Sequence, residues 1–207
     1  MDTYLTINNP AEGLYKDKGS KFLSFAYPVT SVDEVKEILA QKRKQFYDAR
    51  HVCYAYMIGY KRDVFRANDD GEPSGTAGRP ILGQINSSEL TDVLIIVVRY
   101  FGGILLGTSG LIQAYKTAAS DAIANATISE RIVEDTFTST FGYDCLNSVM
   151  RIIKDFNLTI VHQRQELDCT LTFRIRLSDI DAVAARFGKL DFVSFEHIEA
   201  TNDDTEQ

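Results

Sequence analysis

The sequence has few cysteines and no long apolar segment. Three of its 207 residues are cysteine, and no two of them lie closer than 24 positions apart. This spacing excludes a disulfide framework and a zinc site built from closely spaced cysteines. The longest apolar run, Val93–Val98, is far shorter than a membrane span. Because the first residues also lack the basic and then apolar pattern of a signal peptide, we expect a cytoplasmic protein.

Charge is distributed unevenly along a chain of otherwise ordinary globular composition. Hydrophobic residues make up 44% and charged residues 25%, which excludes intrinsic disorder. Residues 133–207 hold 7 basic and 14 acidic side chains and carry the whole net charge of −7, whereas residues 1–132 hold 15 of each. Within that neutral part, residues 41–66 have 7 Lys or Arg against 2 Asp. The chain is therefore not a strongly basic nucleic-acid binder, although it could present one basic face.

The hydrophobic pattern of residues 1–132 predicts a first domain of mixed strands and helices. A capping signal at Ser31 and a proline at Pro80 predict two helix starts. The nearly continuous apolar stretch Asp92–Phe101 predicts a strand that is buried on both faces. The glycine-rich turn Gly107–Gly110 is predicted to open a third helix with an apolar stripe.

Residues 133–200 have a different pattern and predict a second domain. Their elements follow the order β-α-β-β-α-β, the ferredoxin-like plan, with two helices on one face of the sheet and the other face open. Within this domain, Asp168–Leu177 alternates between apolar and polar residues, as expected of a half-buried strand. The acidic residues 201–207 are expected to form a disordered tail. The chain is thus predicted to be an α+β protein of two domains.

Three carboxylates occur within four residues, at Asp69, Asp70 and Glu72. Carboxylate oxygens are hard ligands of the kind that Mg²⁺ prefers, so the three side chains could form a magnesium site. The same segment could instead simply build a turn, because Asp tolerates turn conformations and Gly71 supplies positive φ. The sequence leaves both interpretations open.

Two stretches of small residues precede predicted helices. The first follows the buried strand, and free N–H groups together with the helix dipole would favour a phosphate or another anion there. It lacks the spacing of a P-loop or a dinucleotide-binding loop, and its glycines could equally serve close packing. The second stretch lies before the other helix, and the two loops could face each other. The residues are Gly102, Gly103, Gly107, Thr108 and Gly110 in the first stretch and Ser74, Gly75, Thr76 and Gly78 in the second.

His51 and Cys53 lie two positions apart on one face of a predicted strand, which suggests a catalytic cysteine–histidine pair. Neighbours at i and i+2 are poorly placed for such a contact, so a buried structural cysteine and a hydrogen-bonded histidine are expected. No residue has the geometry of a general base or nucleophile, and no catalytic residue is assigned. The segment Arg99–Phe101, at the end of the buried strand, could stack a base and line a cleft, or pack in the core.

Three motifs together resemble the IMPACT family, the group of bacterial YigZ-like proteins and their eukaryotic relatives. The resemblance covers about residues 10–130, and the acidic second domain is similar to the C-terminal domain of bacterial members. Ile104 and Leu105 stand where the third motif of the family would have a basic residue. The motifs are Arg50-His51-x-Cys53-x-Ala55, Asp69-Asp70-Gly71-Glu72-Pro73-Ser74-Gly75-Thr76-Ala77-Gly78-x-Pro80 and Val98-Arg99-Tyr100-Phe101-Gly102-Gly103-x-x-Leu106-Gly107-x-x-Gly110-Leu111.

The resemblance implies folds for both domains and a link to translation. The first domain would share the α/β fold of a ribosomal-protein domain, of domain IV of elongation factor G and of the GHMP kinases. The second would be similar to the ferredoxin-like domains of elongation factor G. Eukaryotic members of the family regulate translation by competing for an activator of a kinase that acts on initiation, whereas bacterial members have no settled activity.

The leading hypothesis is a non-enzymatic regulator that binds RNA, the ribosome or a translation-related protein. Its phosphate contacts are assigned to six basic residues, with the glycine loops and His51 shaping a groove. The alternative is an enzyme or binding protein for a phosphorylated or nucleotide ligand, held by the glycine-rich loops and the magnesium site. No cofactor beyond that Mg²⁺ is expected. The six basic residues are Arg50, Lys61, Arg62, Arg66, Arg79 and Arg99.

Overall fold

The structure, a computed structural model, describes residues 2–198 and divides into two compact units. The first unit is Thr3–Arg131, and the second combines Asp2 with residues 132–198. Both units combine helices with β-sheets, which confirms the mixed α/β class. The finer domain types stay predictions. The acidic residues 201–207 lie outside the described part of the chain.

Seven strands belong to the first part of the chain, namely β1 (Thr3–Ile7), β2 (Ala11–Asp17), β3 (Ser20–Pro28), β4 (His51–Ile58), β5 (Val64–Asn68), β6 (Val93–Tyr100) and β7 (Ile128–Ile132). Five of them form an antiparallel sheet in the order β2-β3-β6-β4-β5, which leaves β2 and β5 at its edges. A separate two-stranded sheet joins β1 to β7, and the hydrophobic pattern did not predict it.

Three helices cover the two faces of the larger sheet: α1 (Val32–Gln45), α2 (Gly78–Ser87) and α3 (Gly107–Ala124). α2 and α3 share one apolar cluster with one face of β4, whereas α1 shares a second cluster with the opposite face. Because β6 is flanked by two strands and covered on both faces, Val93–Val98 are all fully buried, as the apolar run predicts. Within residues 2–198, no helix is long and apolar enough to cross a membrane.

The directions of three strands bring two loops together at one end of the strands of the sheet. β5 and β6 each run antiparallel to β4, so their carboxyl ends lie beside its amino end at His51. The loop 69–77 leads from β5 to α2, and the loop 101–106 leads from β6 to α3. Both loops therefore meet at the start of β4.

The second unit contains, in the predicted order, β8 (Glu134–Phe141), α4 (Leu146–Asp155), β9 (Thr159–Gln165), β10 (Cys169–Arg176), α5 (Ile180–Phe187) and β11 (Glu196–Ile198). Its antiparallel sheet has the order β11-β8-β10-β9. The alternation predicted for β10 is confirmed, because Cys169, Leu171, Phe173 and Ile175 are buried. The last strand has only three residues, and Phe192 before it has a φ of 59°, which an extended strand does not allow.

Gly102 permits a close approach between the end of β6 and the turn that joins β2 to β3. A Cβ atom at this position would lie 1.9 Å from the backbone carbon of Gly19 and 2.1 Å from the nitrogen of Ser20. The predicted glycine-rich turn thus serves packing at Gly102, where a side chain would separate two backbone segments.

We predict that Gly102→Ala lowers the free energy of unfolding by about 2–3 kcal/mol, because the backbone must move to admit the methyl group. Gly83→Ala is the matched control, since a Cβ at this helical position meets no atom within 4 Å. We expect it to raise the free energy of unfolding by about 0.5–1 kcal/mol. Urea unfolding followed by circular dichroism measures both, and equal effects of the two substitutions would contradict the packing argument.

Candidate functional site

A cavity of about 390 Å³ opens between the loops 69–77 and 101–106, next to the start of β4. Glu72 and Pro73 of the loop 69–77 lie on one side of it. Phe101, Leu105 and Leu106 of the other loop line it as well, so the two loops face each other. The remaining lining residues come from the start of β4, the end of β6 and the first turns of α3; they are Arg50, His51, Arg99, Gly107, Thr108 and Leu111.

A buried hydrogen-bonded network forms one wall of the cavity. The Glu72 side chain is only 3% exposed, and its Oε1 atom accepts a hydrogen bond of 2.6 Å from Nη1 of Arg99. The same oxygen accepts a second bond, of 2.9 Å, from the hydroxyl of Tyr115. The Nε–H group of Arg99 is buried and has no acceptor among the described residues. Arg99 is therefore held by one carboxylate and is only partly satisfied.

Cys53 lies behind this network and is fully buried. Its thiol lies 3.0 Å from the carbonyl oxygen of Asp69 and 3.3 Å from the Tyr115 hydroxyl. Burial raises the pKa of the Cys53 thiol, and burial also raises that of Tyr115, so both groups stay protonated. A neutral, enclosed thiol is a poor nucleophile, in keeping with the structural role expected from the sequence.

His51 stands at the cavity wall with its two ring nitrogens in different environments. Nδ1 lies 2.8 Å from the backbone carbonyl of Asp70, a contact in which the nitrogen carries the proton and donates it. Nε2 lies 3.9 Å from Oε1 of Glu72. The carbonyl of Asp70 thus fixes the tautomer and the ring orientation, as second partners of functional histidines commonly do.

The carboxylate of Asp69 caps α2 from nine residues upstream. It accepts hydrogen bonds from the backbone N–H groups of Gly75, Ala77 and Gly78, at 2.8, 3.0 and 2.8 Å. Although burial alone would raise the pKa of Asp69, these three donors outweigh it and hold the pKa below its usual value. This cap explains why α2 begins at Gly78, two residues before the predicted start at Pro80.

The three neighbouring carboxylates do not converge on a common point. Asp69 caps the helix, and Glu72 belongs to the buried network. Asp70 pairs with Arg43, whose Nη2 lies 2.7 Å away, and accepts a bond from the backbone nitrogen of Val52. In the part of the chain that the structure describes, no group of three His, Cys, Asp or Glu side chains is arranged to hold a metal ion. The contacts of this segment are those of a turn.

The glycine-rich segments contribute to the cavity unequally. Gly107 and Thr108 line it at the start of α3, which has no side-chain cap. Gly102, Gly103 and Gly110 are not among its lining residues, and Gly102 serves the packing described above. The small residues before α2 build the turn instead: Gly75 and Gly78 donate to Asp69, Thr76 donates to the carbonyl of Pro73, and Ser74 is exposed.

The six predicted phosphate-contacting residues do not share one face. Arg50 lies at the cavity, and Arg99 is buried in the network behind it. Arg62 donates to the carbonyl of Leu90 and the side chain of Asn86, so its guanidinium serves the fold. Two others, Lys61 and Arg66, are exposed on the hairpin of β4 and β5, and Arg79 is exposed on α2 outside the cavity. Lys61 follows the carboxyl end of β4, whereas Arg50 precedes its amino end.

Sequence reasoning missed Tyr115 and the apolar wall of the cavity. Tyr115 lies in the apolar stripe of α3 and is fully buried. A buried tyrosine hydroxyl requires a hydrogen-bond partner, so a tyrosine within an apolar stripe is a signal for a polar contact beneath the surface. Nothing in the sequence indicates that Leu105 and Leu111 line a cavity, because their side chains meet there only through the arrangement of the two loops.

The chain was compared with protein-family profiles, with known sequences and with solved structures. A family profile matches most of the first unit, and related sequences align with most of the chain. Residues 18–123 match the profile of the Impact N-terminal domain. IMPACT family member YvyE of Bacillus subtilis is 32% identical over 170 residues, which are 81% of this chain and 78% of the relative. IMPACT family member YigZ of Escherichia coli is 32% identical over 155 residues, or 74% of this chain and 76% of the relative. A crystal structure of a hypothetical protein matches with a TM-score of 0.71 and 26% identity, covering 97% of this chain and 99% of that one.

We predict that Asp69→Asn lowers stability at neutral pH by about 1 kcal/mol, the usual cost of weakening a helix cap. The folded-state pKa of Asp69 is depressed, so its contribution is complete above the unfolded pKa, near 3.9, and is lost as the pH falls through the folded value. The difference between native chain and variant should therefore shrink below about pH 4. Urea unfolding across pH 2.5–7 measures it, and a difference that is constant over this range would contradict the role of the charge.

We predict that Glu72→Ala lowers the free energy of unfolding by about 3–5 kcal/mol, because it leaves Arg99 buried without its carboxylate. Glu130→Ala is the control, since the Glu130 side chain is exposed and accepts a bond from Thr3 at the surface. Its effect should stay below about 1 kcal/mol. Thermal and urea unfolding test the pair of variants, and a loss of stability at Glu72 as small as that at Glu130 would contradict the importance of the buried network.

Proposed function

Because the chain belongs to the IMPACT family, we propose that it is a cytoplasmic, translation-linked regulatory protein that binds RNA of the translation machinery through its first unit. The family assignment rests on the match of residues 18–123 and on the relatives that are 32% identical over most of the chain. The link to translation comes from the resemblance to the family. The binding of RNA is an inference from the surface of the hairpin formed by β4 and β5.

That hairpin combines free cations with exposed aromatic rings, and this observation carries the proposal. Lys61 and Arg66 are exposed and have no acidic partner among the described residues. Phe65 of β5 is 56% exposed on the face opposite to Arg66, because neighbouring residues of a strand point to opposite faces. In the adjoining turn, Tyr60 is 38% exposed beside Lys61. Proteins that bind single-stranded nucleic acid use cations for the phosphates and aromatic rings on which bases stack.

The negative charge of the second unit disfavours contact with RNA. Residues 133–207 hold 14 acidic side chains against 7 basic ones, so their charge repels a polyanion. RNA binding is therefore assigned to the first unit alone. The order β11-β8-β10-β9 with two helices supports the proposal that the second unit is of the ferredoxin-like type. The translation-factor type of the first unit is likewise proposed on the family resemblance.

The test is co-sedimentation with ribosomes, together with binding of a single-stranded RNA, over a series of salt concentrations. We predict that the double variant Lys61→Ala, Arg66→Ala binds RNA at least tenfold more weakly at low salt. The slope of log K against log salt concentration should become less steep by about 1.4, the value for two lost phosphate contacts on a single strand. Arg62 stays unchanged in this variant because its guanidinium donates structural hydrogen bonds to Leu90 and Asn86.

The matched control is Lys116→Ala, Lys154→Ala, which also removes two exposed positive charges, from α3 and α4. It should keep the affinity and salt dependence of the native chain. Affinity that is independent of salt, or equal loss in both double variants, would show that the hairpin does not carry RNA binding.

A further inference from the structure

We propose that the cavity beyond the ends of β5 and β6 binds a small organic anion, a carboxylate or phosphate monoester joined to an apolar or aryl group. This inference does not depend on RNA binding at the hairpin, because the cavity lies at the opposite end of β4. Its volume of about 390 Å³ falls within the range of small-molecule sites.

One end of the cavity favours negative charge. The Arg99 side chain is more than nine-tenths buried there, and its Nε–H group lacks an acceptor among residues 2–198. Glu72 balances this one charge, while Arg50 adds a second guanidinium that has no hydrogen-bond or ion-pair partner in the described chain. The cationic groups around the cavity therefore exceed the anionic ones.

The start of α3 adds backbone donors at the same end. Gly107 and Thr108 line the cavity, and no side chain caps the helix. The first N–H groups of a helix have no carbonyl partner within it, and its dipole places partial positive charge at this end. Together with the exposed guanidinium of Arg50 and the positive charge of Arg99 behind it, these groups form a site for carboxylate or phosphate oxygens, which accept several hydrogen bonds at once.

The other walls are apolar, which determines the rest of the ligand. Phe101 is 50% exposed and Leu105 is 83% exposed, although both are large hydrophobic side chains. With Pro73, Leu106 and Leu111 they surround the space next to the cationic end. Covering such surface with an apolar group releases water and stabilises the complex, whereas a bare inorganic ion would leave it exposed. The ligand class is therefore an anion with an apolar body.

The test is a titration of the full-length, ¹⁵N-labelled protein with phenyl phosphate and with 4-phenylbutyrate, followed by NMR. We expect at least one of these anions to shift the amide signals of Phe101, Gly107 and Thr108, and a response to one of them identifies the head group. The neutral analogue 4-phenylbutanol and inorganic phosphate should each bind at least tenfold more weakly. Binding of either as tightly as the organic anions, or no shift at these amides at millimolar concentrations, would overturn the proposal.

Variants at exposed positions test the two parts of the site without unfolding the protein. Arg50→Ala should weaken binding of the anionic probe about tenfold, because a charge-assisted hydrogen bond is lost. Leu105→Ser should weaken it by removing part of the apolar wall. Arg79→Ala is the matched control, since Arg79 is exposed outside the cavity. Equal affinity in the Arg50 and Arg79 variants would also overturn the proposal.

The hairpin variant Lys61→Ala, Arg66→Ala separates this proposal from RNA binding. It should bind the small anion as the native chain does, whatever its affinity for RNA. Loss of both activities in this variant would mean that the anion binds at the hairpin and not in the cavity.

Discussion

The buried ion pair of Glu72 and Arg99 is the contact on which the cavity of the first unit depends. Glu72 belongs to a loop, Arg99 to the central strand, and Tyr115, which donates to the same oxygen, to α3. One carboxylate oxygen thus joins three elements that are distant in sequence. Taking two charges out of water costs several kcal/mol for each ion, and good geometry offsets that cost only in part. The pair is therefore better understood as fixing the position of the loop 69–77 than as adding net stability.

Sequence patterns predicted those elements whose burial repeats regularly along the chain. The continuous apolar run of β6 reflects cover on both faces, and the alternation of β10 reflects cover on one face, so neighbouring residues contain the information. β1 and β7 lack such a pattern because they are short and paired over a long separation, as shown by the hydrogen bond from Thr3 to Glu130, 127 positions away. Their pairing depends on the folded arrangement of everything between them.

The sequence named some residues that line the cavity, such as Arg50 and His51, but not the contacts between side chains. Adjacent carboxylates suggested a shared ligand, yet the turn directs Asp69 towards a helix start and Glu72 towards the core. Likewise, basic residues that are close in sequence are separated in space, since the length of β4 lies between Arg50 and Lys61. Arg99 and Glu72 are 27 positions apart in the sequence. No local periodicity indicates that two such distant residues are in contact.

The edge position of β5 has a consequence for how copies of this chain behave together. The outer row of its backbone N–H and C=O groups has no neighbouring strand in the described sheet, and an exposed ring such as Phe65 favours pairing with the edge of another molecule. Arg66 within the strand and Lys61 in the adjoining turn oppose such pairing, because two edges would bring like charges together. The cations to which we assign RNA contacts therefore also oppose self-association through this strand. A polyanion bound there would neutralise them and remove this electrostatic barrier, so the proposed RNA binding would be coupled to self-association through the edge of the sheet.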